Sequence, residues 1–382
     1  MKMRQALFFI GTTAEFIKLA PIIKELKKRK VFFKIITSGQ NIVRFHELRY
    51  FTGKISPYYA FRQRPLGIRV PLMVGFVIWT MKAMLNYILY FRHELYGRSK
   101  QDTYFIVHGD TVSSLLGALI ARMFRATLVH VESGLRSFNF LEPFPEEICR
   151  FIVSKLAHIH FCPNAWCARN LNSVGGKKIN TRQNTLIETF WSAMKIKKNS
   201  LALKRIRKTN KKYFVLVVHR QEHVLFGKAD TESVLEFLLK NVSPNLTCIF
   251  MVHDLSAPFV NRLRKRVDRV FSHKVIFTKL LPYGDFMHLL AQSEFVVTDG
   301  GSNQEELYYL GKPCLLIRNR TERIEGLGAN AVLSGGKKPV IQHFIKNYRK
   351  YIRPSVHVGV PPSKIISDYL EKAVRACLKT HH

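Results

Sequence analysis

Short apolar runs alternate with longer amphipathic stretches along this chain. Ala6 to Ile10, Phe33 to Ile36, Tyr104 to Val107, Thr127 to Val131 and His158 to Phe161 read as strands. Between them, segments such as Glu15 to Arg29 and Thr111 to Phe124 place apolar residues at helical spacing. A second series follows a basic, polar stretch around Lys195 to Lys212. Its strands are Phe214 to Val218, Thr247 to Val252, Lys274 to Phe277, Phe295 to Val297 and Cys314 to Ile317. Its helices are Asp230 to Leu239, Phe259 to Val267, Tyr283 to Ala291 and Asn303 to Leu310. Strands and helices in strict alternation predict parallel sheets covered by helices, the doubly wound α/β class. The expected organisation is a first Rossmann-like domain over 1–194, a second over 195–363, and a closing helix in 364–382.

One region departs from the alternation. Between Arg62 and Lys100, Val70 to Met81 carries no charge, and the apolar character runs on to Phe91 with only Lys82 and Asn86 interrupting. A membrane-spanning helix needs about 20 apolar residues, and Pro71, Lys82 and Asn86 argue against one here. Arg62, Arg64 and Arg69 precede the stretch; Arg92 and Arg98 follow it. With Phe76, Trp79, Tyr87 and Tyr90, this suits a helix lying in an anionic membrane interface. A core helix or a homodimer interface is the competing use, and the sequence leaves both open.

Composition narrows the partners. At 382 residues the chain has room for two domains. Its net charge of +35 points to anionic partners: nucleic acid, anionic lipid or a phosphorylated substrate. No finger, helix-turn-helix or ribonucleoprotein motif accompanies the basic clusters, so specific nucleic-acid binding is not expected. The six cysteines form no CxxC pair, which fits a reducing compartment: the cytoplasm, or the inner face of its membrane. His158, His160, Cys162 and Cys167 lie close together, yet they fall in a strand-like run, and no metal is expected. The start MKMRQALFFIGTT reads as a first strand feeding Gly11, not as a signal peptide.

The candidate chemistry concentrates between Val107 and Arg150. One strand-like run ends in His108-Gly109-Asp110-Thr111, the next in Glu132-Ser133-Gly134. A proline-bounded loop, Pro143-Phe144-Pro145, then delivers Glu146 and Glu147. Carboxyl ends of strands are where open α/β sheets bind ligands. In a chain with 26 acidic against 61 basic residues, acids placed there stand out. Each also has an ordinary reading: Asp110 as a helix cap, Glu132 paired to Arg136, Glu146 in a capping turn. Farther on, Gly300-Gly301-Ser302 precedes a helix, which suits either phosphate binding or simple helix initiation.

These segments resemble the UDP-N-acetylglucosamine 2-epimerase family. His108 to Thr111 is similar to its HGDT, His130 to Arg136 to its HVEAGLR with Ser133 in place of alanine, and Pro143 to Arg150 to its P-x-PEE-x-x-R. Gly11 to Glu15 with Lys18, His219 to Glu222, Asp299 to Glu306, Gly311 to Pro313 and Thr321 to Arg323 continue the likeness along the chain. The resemblance implies two Rossmann-like domains facing across a cleft, the GT-B-like arrangement, with a last helix, about Lys364 to Leu378, packing back on the first domain. It implies that a UDP-sugar loses its C2 proton, eliminates UDP in the anti sense, and either re-adds it or takes up water. The result is the N-acetylmannosamine form, used for surface polysaccharide. By position, Asp110, Glu132, Glu146 and His219 match the family's catalytic residues, and their clustering predicts raised carboxyl pKa values. Lys18, Gly300, Gly301, Ser302, Glu306 and Arg323 match its substrate-binding positions. No cofactor is implied.

Departures from the pattern matter. Thr13 and Ala14 stand where the family has arginine and proline, so one phosphate-binding cation is missing. Thr37 to Asn41 keeps little of the family's regulatory segment. The runner-up is a membrane-associated GT-B glycosyltransferase acting on a lipid-linked acceptor, favoured by the apolar-basic segment and the lost arginine. A non-enzymatic sugar-nucleotide-binding scaffold would leave the acidic set without use.

Overall fold

The computed structural model describes residues 4–61, 81–82, 84–92, 102–196, 201–208, 211–218, 228–252, 260 and 275–375. They pack as two compact units. The first comprises Met1–Arg136, Pro145–Thr189 and Val358–His382; the second comprises Ser137–Phe144 and Phe190–His357.

Among the described residues, seven parallel strands form the first sheet. They are β1 (Gln5–Ile10), β2 (Phe33–Thr37), β3 (Tyr59–Ala60), β4 (Thr103–His108), β5 (Thr127–Val131), β6 (Ile159–Cys162) and β7 (Lys177–Asn180). Their order is β3-β2-β1-β4-β5-β6-β7. The second sheet holds β8 (Tyr213–Val217), β9 (Thr247–Val252), β10 (Val275–Lys279), β11 (Val296–Thr298), β12 (Cys314–Leu316) and β13 (Ala331–Leu333), in the order β10-β9-β8-β11-β12-β13. Every pairing is parallel. Central strands are buried on both faces, which is why they read as unbroken apolar runs. The strands that periodicity passes over are peripheral. β3 has two residues, β7 is Lys-Lys-Ile-Asn on an edge, and β13 is short. Edge lysines of that kind blunt unwanted strand pairing.

In each sheet the order reverses beside the first strand, at β1/β4 and at β8/β11. A doubly wound sheet binds ligands outside the carboxyl ends of strands at such a switch point. The helix Val112–Met123 that follows β4 is capped by Thr111, whose hydroxyl accepts from Ser114 N. Asp110 is therefore not the cap.

The helix Pro362–Arg375 packs on the first unit, as the resemblance implies. Ile366 and Leu370 are buried, Tyr369 meets Phe161 edge-on, and Arg29 reaches both Asp368 and Glu371.

Of the apolar-basic stretch, residues 62–80, 83 and 93–101, including Phe76 and Trp79, lie outside the described residues. Residues 84–92 are helical. Tyr87 and Phe91 are fully buried in the core with Phe9, Phe105 and Val107, and the Tyr87 hydroxyl donates to Thr37 O. Tyr87 is thus a core residue and cannot face a membrane. Tyr90 is half-buried and stacks on Tyr59. The opposite face differs: Met81, Leu85 and Leu89, one helical turn apart, are 61–69% exposed. Among the described residues no helix is long and apolar enough to cross a membrane.

Candidate functional site

Strand register brings two of the sequence-selected acids together. β4 pairs with β5 so that His108 lies opposite Val131, and Gly109-Asp110 and Glu132 leave adjacent strands side by side. Gly109 N donates to Val131 O at 2.9 Å. Gly109 has φ +64, and a Cβ there would stand 3.1 Å from Glu132 Oε2. Glycine therefore suits both the backbone and the close approach. Glu132 itself has φ +62, an uncommon conformation for a residue with a side chain.

Each of these acids has a cation. Glu132 is buried, and its Oε1 receives Lys18 Nζ at 2.8 Å and Asn184 Nδ2 at 2.5 Å. His108 Nδ1 stands 3.9 Å from Oε2. Asp110 is half-buried and accepts from Arg150. Arg150 also bonds Glu147, whose other oxygen takes Arg136 Nε at 2.5 Å. So Arg136 serves Glu147 and not Glu132. Glu146 opens the helix Glu146–Leu156 and is half-buried.

Glu15, in the first turn of the helix after β1, was not singled out from sequence and carries a raised carboxyl pKa. Burial pushes it up to about 7, with Asp110's charge adding to the rise. The Thr111 hydroxyl and the Gly11 and Thr12 amides oppose it, Gly11 N donating to Glu15 Oε2 at 2.6 Å. Thr13, in the family's arginine position, bonds the chain at 42–44 instead: it donates to Ile42 O and accepts from Arg44 N.

The histidine and cysteine group has other partners. His158 Nδ1 accepts from Leu128 N, both ring nitrogens of His160 are hydrogen-bonded, and Cys162 and Cys167 are buried. Among the described residues no group of His, Cys, Asp and Glu is arranged to hold a metal.

In the second unit, β11 runs into Asp299 and Gly300, then the helix Gly301–Leu310. Gly300 is the N-cap, no side chain caps the helix, and its first turn holds no acid. A Cβ on Gly301 would stand 2.4 Å from Glu322 Oε1 and would have to displace that carboxylate, so the close approach favours glycine. Ser302 is half-buried. Glu306 is buried and accepts from Asn303 Nδ2 at 2.9 Å. Arg323 pairs with Glu305 at 2.5 Å, and Glu322 takes Arg318. Gln304 ties the helix to the following loop, accepting from Thr321 and donating to Arg323 O and Glu325 O. His219 lies outside the described residues.

The profile of the UDP-N-acetylglucosamine 2-epimerase family matches residues 24–356. The chain belongs to this family. The UDP-N-acetylglucosamine 2-epimerase of Campylobacter jejuni is 30% identical over 371 residues, covering 91% of this chain and 90% of the relative. A crystal structure of the Neisseria meningitidis UDP-GlcNAc 2-epimerase bound to UDP-GlcNAc aligns with TM-score 0.75 at 26% identity, covering 96% of this chain and 100% of the other. The Methanocaldococcus jannaschii enzyme, in complex with UDP-GlcNAc and UDP, aligns with TM-score 0.80 over 96% of this chain and 99% of the other; at 23% identity this speaks to fold alone.

Several residues that brace these side chains were given no role from sequence. Arg150, Glu147, Asn184, Arg318 and Glu305 hold the named residues in place. A spacing of three on one helix turn could have paired Glu147 with Arg150. Arg150 with Asp110, and Asn184 with Glu132, join residues 40 and 52 positions apart, which only the fold brings together.

Proposed function

We propose that the protein is a UDP-N-acetylglucosamine 2-epimerase, with the carboxylates of the first unit moving protons at the sugar and the helix start of the second holding the nucleotide. The observation that carries this reading is the pair of acids leaving β4 and β5 side by side, each with its own cation. Removing the weakly acidic C2 proton needs a base; the other face of the sugar needs an acid. Asp110, Glu132 and Glu146 supply these roles. Lys18, now on Glu132, is positioned to trade that contact for a substrate oxygen and so free the carboxylate. Gly301 and Ser302 offer uncapped amides at a ten-residue helix start, which suits pyrophosphate, while Gly300 N donates to Thr298 Oγ1 and sets the turn before them. Glu306 takes ribose hydroxyls, and Arg323 and His219 stabilise the departing diphosphate.

The C2–H pair forms the C1–C2 double bond, the C1–O bond breaks toward UDP, and a proton returns to C2 from the other face as UDP re-adds. Addition of water in place of UDP releases free N-acetylmannosamine. Either product suits supply of a surface polysaccharide. The experiment is proton NMR of the protein with UDP-GlcNAc in deuterated water. Deuterium at C2 together with the C2 epimer or free N-acetylmannosamine is the expected outcome; no exchange at C2 would refute the reading.

The exposed stripe Met81, Leu85 and Leu89 beside Lys82 favours one addition, peripheral binding to an anionic membrane. Such contact adds about 1 kcal/mol per basic residue near the surface. Flotation with anionic liposomes at low salt should capture the protein, and Leu85→Ser with Leu89→Ser should weaken capture. Wild-type protein left behind in the soluble fraction would refute it.

A further inference from the structure

Behind the β5 turn, three fully buried side chains form a chain of hydrogen bonds: His130 on β5, Ser133 just after it, and His160 on β6. Ser133 Oγ lies 2.9 Å from His130 Nδ1 and 3.0 Å from His160 Nδ1. At the far ends, His130 Nε2 lies 2.8 Å from Gly109 O and His160 Nε2 lies 3.0 Å from Gly175 O.

The hydrogens do not add up for neutral groups. A carbonyl oxygen only accepts, so both Nε2 atoms must donate. In a neutral ring that leaves Nδ1 as a lone pair. The serine hydroxyl has one hydrogen, and two lone pairs face it. Four contacts share three hydrogens. At any moment one Nδ1 is bonded and the other faces oxygen lone pair to lone pair. One added proton completes the set: one ring donates Nδ1–H to Ser133 Oγ, and the hydroxyl hydrogen goes to the other ring.

The chain begins and bends where the acids are. Gly109, whose carbonyl takes His130, immediately precedes Asp110. Ser133 immediately follows Glu132, whose backbone is held at positive φ. Ser133 N is also fixed, donating to Phe161 O at 2.9 Å.

We propose that His130 and His160, joined through Ser133, are positioning residues that hold the Gly109-Asp110 and Glu132-Ser133 turns in register, with the serine hydrogen serving one ring at a time and one further proton closing the chain. This rests on the reading that Asp110 and Glu132 act on substrate. The charged and titratable surroundings set when the proton arrives. Burial, with His160, His108 and Arg150, pushes His130 down to about 3, against the pull of Gly109 O. Burial, with Lys178 and His158, also lowers His160, against Gly175 O. Near neutrality the chain is therefore uncharged and the hydroxyl is shared.

The test is ring-nitrogen NMR on the full chain with labelled histidine, beside steady-state C2 exchange. In the wild type both rings should carry hydrogen on Nε2 and not on Nδ1 near neutrality, and both should move together on acidification. Ser133→Ala removes the hydroxyl that would accept an added Nδ1–H from either ring, so ring protonation should shift to lower pH and lose its coupling. Its kcat should fall about fivefold, the worth of one hydrogen bond, with KM unchanged. Ser133→Thr keeps a hydroxyl and should restore both readouts. An Nδ1–H on either wild-type ring at neutrality, ring titration indifferent to Ser133→Ala, or a kcat loss that threonine does not restore would overturn the proposal. Absence of C2 exchange in the wild type would instead sink the proposed reaction, while the ring nitrogens still decide the proton chain.

Discussion

At the β4–β5 end of the first unit, acids are the central groups and cations hold them: Lys18 on Glu132, Arg150 on Asp110. At the start of helix Gly301–Leu310 in the second unit the roles invert. Arg323 is held by Glu305 and Arg318 by Glu322, while the helix amides carry no side-chain cap. The difference matches two tasks. Proton transfer needs side chains whose charge state can change, so they are paired with groups that steady them. Holding a diphosphate needs fixed donors, so backbone amides and pinned guanidinium groups suffice. Both groups follow a strand that borders its sheet's switch point, β4 in the first sheet and β11 in the second, which is where a doubly wound frame binds ligands.

The largest effect should come from removing the acids. Asp110→Asn, Glu132→Gln and Glu146→Gln should each slow C2 exchange by ~10²–10⁴-fold and leave UDP affinity nearly intact. Exchange by NMR and UDP titration by calorimetry check this. Wild-type exchange in all three would erase the contrast between the units.

Stability tests the cation side of the comparison. Arg150→Met removes one of the cations on buried Glu147 and takes the Arg150 guanidinium from Asp110. Breaking a buried ion pair by deleting one member costs about 3–5 kcal/mol. Urea denaturation should show an unfolding free energy lowered by that amount. A loss near zero would mean Arg150 does not hold the acids.

Glu15 gives the contrast a pH signature. Its pKa rises from 4.5 to about 7 on folding, so between those values the folded chain keeps a proton that the unfolded chain loses. The group's contribution is full below its unfolded pKa and is lost as pH rises through about 7. Glu15→Gln removes that loss. Relative to wild type, it should gain up to roughly 3 kcal/mol between about pH 5 and about pH 8. Parallel denaturation curves at the two pH values would contradict the buried, protonated carboxyl.

The smallest effect is expected in the second unit. Glu306→Ala should weaken UDP binding by about 1–3 kcal/mol through lost hydrogen bonds to ribose. His219→Ala should weaken both UDP binding and turnover. Calorimetry with unchanged UDP affinity in both variants would place the nucleotide elsewhere.

Much of this protein is set by local pattern. Central strands buried on both faces are continuous apolar runs, and their alternation with amphipathic helices fixes the α/β class without reference to any contact. Motif order along the chain fixes the family, since His108 to Thr111, Glu132 and Asp299 to Glu306 keep their spacing. Three of the four edge strands among the described residues, β3, β7 and β13, escaped that reading because their residues are few or polar, as in Lys177–Asn180, where partners and not periodicity define the strand. Tertiary structure alone decided which charges meet. Arg136 pairs with Glu147 and not with nearer Glu132, because β5 turns Glu132 toward Lys18 while helix Glu146–Leu156 carries Glu147 under Arg136. It also decided that Tyr87 joins the core while Leu85 and Leu89 stay exposed, and that His130, Ser133 and His160 share too few hydrogens. Such pairings depend on register and burial between residues distant in sequence, and no local pattern records them.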